Sequence, residues 1–336
     1  MQRHERLALI ALGLILIGLP LATLGYQYVL RPALAPTRVI DIRAAAPENG
    51  GFQPASVQVA TGETVTLRFY ASDVTHGVAI GPGLGIDLGQ IEPGHVAEVT
   101  VTFSEAGTYT YYCNTWCSDG HWRMRGVIEV RDPDNPAVLP TVPPDPIIEA
   151  LLTEGVDVDA IPGDEVAPVP GLGPDVRLSA ERGESLLSEL TIPSELQEAA
   201  WRFTHTPSEG LTLLAEANPG WAIADMADAV AALWVADTSA RTLADAISLY
   251  EKNCAACHGQ TGNGDGPAAD TTAEAPIAFA DAAHMFGRRG DVLYAKTRRG
   301  GMGTGMPNFG TVFTREETLA LVDYLWTLAF GAAGSP

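Results

Sequence analysis

Two thiols, an imidazole and a thioether crowd into twelve residues, Cys113-Asn114-Thr115-Trp116-Cys117-Ser118-Asp119-Gly120-His121-Trp122-Arg123-Met124. The pattern C-x3-C-x3-H-x2-M makes a compact cluster of soft donors. Such donors suit copper, above all copper that alternates between Cu(I) and Cu(II). The cluster also constrains the chain around it. Thr108 to Tyr112 runs as a strand straight into Cys113, and Gly126 to Val130 reads as a strand just after Met124.

The rest of 38–132 has the same character. Val65, Leu67 and Phe69 alternate with Thr64, Thr66 and Arg68, and Val99, Val101 and Phe103 alternate with Thr100, Thr102 and Ser104. Turn signals at Thr61-Gly62-Glu63, Gly81-Pro82-Gly83 and Glu92-Pro93-Gly94 punctuate the strands. Short strands at this spacing predict an all-β Greek-key sandwich. The cysteine spacing resembles the dinuclear CuA site of subunit II in haem–copper oxidases, whose domain is a cupredoxin. The resemblance implies Cys113 and Cys117 as bridges, His121 as one cap, Met124 as weak axial ligand and the Thr115 carbonyl as the last donor. Asp73-Val74-Thr75-His76-Gly77 resembles the family's D-V-x-H segment and implies His76 as the second cap.

The surroundings look closest to the ba-type branch, with two departures. Ser118 replaces a common glycine, and Thr115 stands where many members carry a magnesium-binding glutamate, so no magnesium ligand is expected here. Two rival readings exist for the cluster. Thioredoxin-like copper chaperones share C-x3-C and a distant His but lack the H-x2-M, and a mononuclear blue-copper site needs one cysteine. Trp116 and Trp122 flank the ligands, either as an electron path or as an apolar lid.

Cys254-Ala255-Ala256-Cys257-His258 is the c-type haem attachment signature, at the end of the amphipathic helix Leu243 to Lys252. Gly301-Met302-Gly303-Thr304-Gly305-Met306-Pro307-Asn308-Phe309 resembles the G-x-x-M-P-x-F loop of class I cytochromes c, and a terminal helix from Arg315 to Ala329 follows. The resemblance implies an all-α cytochrome c domain over 240–336. It would carry one covalent haem c on Cys254 and Cys257, with His258 and Met306 as axial ligands and Met302 as competitor for the sixth position. Met/His ligation suits electron transfer. His4, His95, His205 and His284 receive no role.

The apolar run Leu7 to about Leu30 carries no charge and follows Arg3 and Arg6. Its length suits one membrane helix, with 1–37 as tail and anchor and the basic end inside. The competing reading is a cleaved signal peptide, but Pro36 directly follows the cleavage-like Ala33-Leu34-Ala35. Between 133 and 176 the chain is acidic and rich in proline, without Lys or Arg, and reads as an extended, semi-rigid linker with a few local helical turns such as Ile147 to Leu152. Residues 177–239 read as helical. Ala227-Asp228-Ala229-Val230-Ala231-Ala232-Leu233-Trp234 echoes Leu319-Ala320-Leu321-Val322-Asp323-Tyr324-Leu325-Trp326, and Arg182 to Leu186 resembles the opening helix of a cytochrome c. A haem-less cytochrome-like relic and an unrelated helical spacer both account for it.

With 41 acidic against 20 basic residues and a net charge of −21, a nucleic-acid partner is excluded. The acidity suits a basic redox partner such as a small cytochrome, and equally a general solubility habit of secreted proteins. The whole resembles a subunit II with a fused cytochrome, the caa-type arrangement. That implies a bacterial cell-membrane protein, single-pass, with copper and haem on the outer face, partnered by oxidase subunit I and other membrane subunits. A soluble or membrane cytochrome or cupredoxin would donate electrons, and oxygen would be reduced elsewhere. The alternatives are the corresponding subunit of a CuA-type nitric oxide reductase and a non-catalytic copper-binding or assembly protein.

Overall fold

The computed structural model describes residues 12–30, 37–159, 177–236, 240–301 and 304–331. His4, Met302 and the linker beyond residue 159 lie outside them.

The first half is a two-sheet sandwich. Its strands are β1 (Arg38–Ala44), β2 (Phe52–Gln53), β3 (Ser56–Ala60), β4 (Thr64–Ala71), β5 (His76–Gly81), β6 (Ile86–Ile91), β7 (Val96–Thr102), β8 (Gly107–Tyr112) and β9 (Arg125–Arg131). One sheet runs β2-β1-β4-β7 and the other β3-β9-β8-β5-β6. Pairing is antiparallel except for β1 with β4 and β3 with β9. The alternation in β4 puts Val65, Leu67 and Phe69 wholly inside, because successive side chains leave opposite faces of a strand. Phe52, Phe69 and Tyr111 meet edge-on in the core at 5.2, 5.7 and 6.0 Å between ring centroids. Val99 and Val101 are only partly buried, since β7 lies at a sheet edge.

Strand β5 is buried at every position. Val78 and Ile80 enter the sandwich core, whereas Ala79 belongs to the core of the helical half. The same switch occurs between Tyr111 and Tyr112 on β8. The sandwich is therefore covered on its outer face by helices.

Those helices are α1 (Pro146–Thr153), α2 (Ala180–Leu186), α3 (Ala199–Thr204), α4 (Pro207–Ala217), α5 (Ile223–Val235), α6 (Ala240–Asn253), α7 (Ala282–Phe286), α8 (Gly290–Arg299) and α9 (Arg315–Phe330). Thr206 with Glu209 and Thr314 with Glu317 form capping boxes that start α4 and α9. Helix α2 packs on α5, and α6 on α9. Between the two sets, α5 meets α9, α3 meets α8, and α4 meets α7. The α2–α5 crossing is very close, because a Cβ on Gly183 would lie 1.8 Å from the Asp228 carbonyl oxygen. The Asp228 carboxylate also accepts from the Ser179 N–H at 2.7 Å and from Arg182.

Within the acidic stretch the helical turn expected at Ile147 to Leu152 is present as α1, and the described part, up to residue 159, packs on the helical half where a free tether was expected. Helix α1 lies on α8, where Leu151 and Val158 bury against Ala295. Asp145 pairs with Arg298 at 2.9 Å, Asp159 with Arg299 at 2.7 Å and Glu154 with Arg289 at 3.1 Å. Composition alone reads as self-repelling, but these carboxylates find arginines on the helical half.

At the N-terminus an α-helical turn, Leu19–Gly25, lies between the π-helical segments Leu14–Gly18 and Tyr26–Leu30. No helix among the described residues is long and apolar enough to cross a membrane. Leu14, Ile15, Leu16 and Ile17 are each about 60% exposed (62, 59, 64 and 62%), so four consecutive side chains, pointing around the whole helix, face outward.

Candidate functional site

Strand β8 delivers Cys113, and β9 starts just after Met124. The Cys113 N–H donates to the Met124 carbonyl at 3.0 Å, which pins the two ends of the ligand loop together. Gly120, at φ 72°, turns the chain into the single 3-10 turn His121–Arg123. His76 opens β5 and is wholly buried.

These pieces converge. Cys113 Sγ lies 3.9 Å from Cys117 Sγ and 3.1 Å from the Thr115 carbonyl oxygen, and Cys117 Sγ lies 3.9 Å from Met124 Sδ. The donor atoms of His76, Cys113 and Cys117 all lie within 4.8 Å of one another. His121 reaches Cys117 as well. His76 Nδ1 and His121 Nδ1 are buried without a hydrogen-bond partner, which is costly unless something binds there. His76 Nε2 faces Asp73 Oδ1 at 2.8 Å, so the partner of its other nitrogen is already assigned. Two bare imidazole nitrogens, two sulfurs, a thioether and a carbonyl fit copper.

The thiols are unequal. The hydrogen bond with Cys117 lowers the Cys113 pKa against burial, helped by the backbone of Thr115 and Gly77. Cys117 is pushed up to about 11 by Cys113 first and by burial second. Cys113 therefore ionises first, and metal binding must displace the remaining proton. Burial pulls the His76 pKa down, but the nearby Cys117 thiol and the Asp73 carboxylate outweigh it and leave the pKa raised.

Gly77 is the close approach that lets the loop sit on β5. A Cβ there would fall 2.1 Å from Asn114 Oδ1 and 2.5 Å from Thr115 Oγ1. Gly77→Ala is expected to weaken copper binding by about tenfold or more, as changes just outside a ligand set do, while the sandwich still melts cooperatively. A competition titration against a Cu(I) chelator measures this. Unchanged affinity would mean that the loop yields freely.

At the other centre, α6 delivers Cys254 and the single turn Ala255–His258 follows it. His258 Nδ1 donates to the Ile277 carbonyl at 3.0 Å, leaving Nε2 as the free ligand nitrogen. Its ring stacks on Phe279 at 4.5 Å, and burial lowers its pKa, keeping it neutral. Burial likewise pushes Cys254 up to about 12. Met306 is held by hydrogen bonds of its N–H to Thr304 Oγ1 and of its carbonyl to the Gly301 N–H, both 3.2 Å. This donor set fits a c-type haem. His205 stacks on Trp201 at 4.0 Å, a packing role.

The candidate copper ligands lie against sequence neighbours of the candidate haem ligands. A cavity of about 20 Å³ is bounded by Cys113, His121 and Trp122 on one side and by Asn253, Pro307 and Phe309 on the other. Trp122 lies at this seam, 3.8 Å from where a Gly305 Cβ would be, whereas Trp116 stands edge-on to His121 at 5.6 Å. Sequence reasoning did not single out Arg125, Tyr112 or Gly81, which make the seam. The available signal was apolar residues, Ala79 and Tyr112, on the outward face of β5 and β8.

Residues 243–329 match the family model for cytochrome c. The C-terminal domain is a cytochrome c domain. Such domains carry haem, in keeping with the donor set at His258. The chain is 34% identical over 82 residues to two cytochrome c oxidase subunit 2 proteins of Thermus thermophilus. These matches cover 24% of this chain and 59% and 48% of the relatives. The chain thus spans about half the length of the curated relatives it matches. Similar solved structures include a heme-copper terminal oxidase dimer (23% identity, 38% of this chain, 100% of that chain, TM-score 0.25). Another is the periplasmic domain of subunit II of cytochrome oxidase of Bradyrhizobium japonicum (20% identity, 29% of this chain, 86% of that chain, TM-score 0.24).

Proposed function

We propose that this chain is the electron-input subunit of a haem–copper terminal oxidase. The observation that carries the reading is the shared cavity: residues of the proposed copper set and neighbours of the proposed haem ligands bound one void barely large enough for a single water. In this reading Cys113 and Cys117 would hold the copper together with His76 and His121 through Nδ1, Met124 and the Thr115 carbonyl. Cys254 and Cys257 would attach haem c, and His258 and Met306 would ligate its iron. Bound copper and haem each supply a one-electron redox couple. The chain holds them in a buried seam, with a donor outside and a haem-bearing partner subunit beyond the copper.

The apolar stretch that ends near residue 30 serves as the membrane anchor; its outward-facing leucines and isoleucines support that role. The unit 177–236 is a cytochrome-like fold without the attachment motif. The order of its helices and their reciprocal contacts with α7, α8 and α9 favour this over an unrelated spacer.

The test is turnover by the complex purified from native membranes through a tag on this chain, with oxygen and nitric oxide each offered alongside a reduced cytochrome. Oxygen consumption that disappears in His121→Ala and Met306→Ala supports the oxidase. Nitric oxide reduction with negligible oxygen turnover identifies a nitric oxide reductase instead. A single labile Cu(I), with no electron shared between two coppers in the EPR spectrum, would mark a copper-carrying protein.

A further inference from the structure

The cytochrome c domain does not hang from the sandwich on a free tether. Its 306–313 loop is seated on the strands that carry the proposed copper ligands. Arg125, the residue after Met124, pairs across the strands with Tyr112, the residue before Cys113. Its guanidinium donates to the Asn308 carbonyl and, at 3.3 Å, to Thr311 Oγ1, and lies 5.6 Å from the Phe309 ring centre. Tyr112 meets Phe313 edge-on at 6.5 Å. Gly81 lies directly beneath the loop, for a Cβ there would fall 2.0 Å from the Val312 carbonyl oxygen. At the rim, Lys252 pairs with Asp87 at 2.7 Å, and Asn114 donates to the same carboxylate at 3.2 Å.

We infer that Arg125 is the positioning residue that locks the Met306-bearing loop onto the Cys113- and Met124-bearing strands, fixing the route for electron transfer inside this chain. One residue, Pro307, separates Met306 from Asn308, one hydrogen bond joins Asn308 to Arg125, and one peptide bond joins Arg125 to Met124. Trp116 instead stands edge-on to His121 at 5.6 Å. Across this seat one electron leaves the reduced haem side, oxidising it, and reduces the copper side. A guanidinium suits the task because it offers several donors in a rigid plane while stacking on an aromatic ring. The seat also occupies the cytochrome loop beside Met306, so an outside donor must approach the cytochrome c domain from another face.

This inference rests on the proposed function for its electron route but not for the seat itself, and the experiment separates the two. Hydrogen exchange on the full chain, without metal, reads the seat. The Phe309 amide donates to the Thr297 carbonyl on α8, those of Val312 and Phe313 donate to the Phe309 carbonyl within the loop, and all three are expected to be protected in the wild type. In Arg125→Ala the protection is expected to fall by about tenfold, the worth of one charge-assisted hydrogen bond. Gly81→Val should act as a wedge with the same result. Arg125→Lys, which keeps the charge but loses the planar fork, should fall between and stands in if the wedge fails to fold. In loaded protein, flash reduction of the haem followed at the copper absorption band should show transfer slowed in the same order, with the copper EPR spectrum unchanged. Loop amides that exchange freely in the wild type overturn the seat. Lost protection with an unchanged transfer rate overturns the route. Missing copper or haem spectra in the wild type would count against the proposed function and leave the amide result to be judged alone.

Discussion

Cys117→Ser is expected to lower copper affinity by more than about 100-fold, beyond the upper end of what changes outside a ligand set produce, and to abolish any signal from two coppers sharing an electron. Cys117 Sγ is the centre of the cluster, 3.9 Å from both Cys113 Sγ and Met124 Sδ and in reach of both histidines. A serine hydroxyl is a hard, neutral donor that does not ionise near neutral pH, so it neither bridges nor matches copper's preference for sulfur. The sandwich should survive, because its core lies around Phe52, Phe69 and Tyr111 and not at the loop. Metal content after dialysis against a chelator, with EPR on the same sample, gives the answer. Retention of full copper content and an unaltered spectrum would remove Cys117 from the bridging role.

Gly183→Ala is expected to lower the melting temperature by roughly 10 °C or more, taking an overpacking cost of about 1–3 kcal/mol and the usual steepness for a small domain. The added methyl meets backbone, not a pliable side chain: the Asp228 carbonyl oxygen at 1.8 Å, its carbon at 2.2 Å and the Ala229 nitrogen at 2.7 Å. Helices α2 and α5 must therefore separate, straining the hydrogen bonds from Ser179 and Arg182 to the Asp228 carboxylate. Because α5 packs on α9, the haem-side unit should feel the change, and calorimetry should show its transition shift too. Gly107→Ala is the control, since nothing lies within 4 Å of its Cβ position. Equal melting of the two variants would mean that the crossing is looser than the geometry describes.

Most donors of the two candidate sites stand close together in sequence, whereas Met306 lies far from His258 and was suggested only by a resemblance. Cys113 to Met124 and Cys254 to His258 each fall within one or two turns of chain, so spacing alone restricts what they can hold. His76 was legible only through a resemblance. What brings it to Cys117 is the antiparallel pairing of β5 with β8, with Ala79 opposite Tyr112. Asp73 was visible as part of the same segment, but not its hydrogen bond to His76. The ion pairs of Asp145, Glu154 and Asp159 were not legible because composition counts charges without their partners, and Arg289, Arg298 and Arg299 lie more than a hundred residues further on.

By itself the sequence determined the soft donor set, the haem attachment turn and the alternation of a sandwich. Each follows from residue type and short-range spacing, which do not depend on how distant parts meet. Only the tertiary structure decided that the candidate copper ligands lie against sequence neighbours of the candidate haem ligands. Ala79 and Tyr112 face outward from their strands, where period-two patterning alone calls for polar residues, and it takes the loop around Phe309 and Phe313 to show what covers them. Arg125 reads in isolation as a solvated strand end. Its role emerges because Asn308, Thr311 and Phe309, almost two hundred residues away, are carried to it by the packing of the helices against β5 and β8.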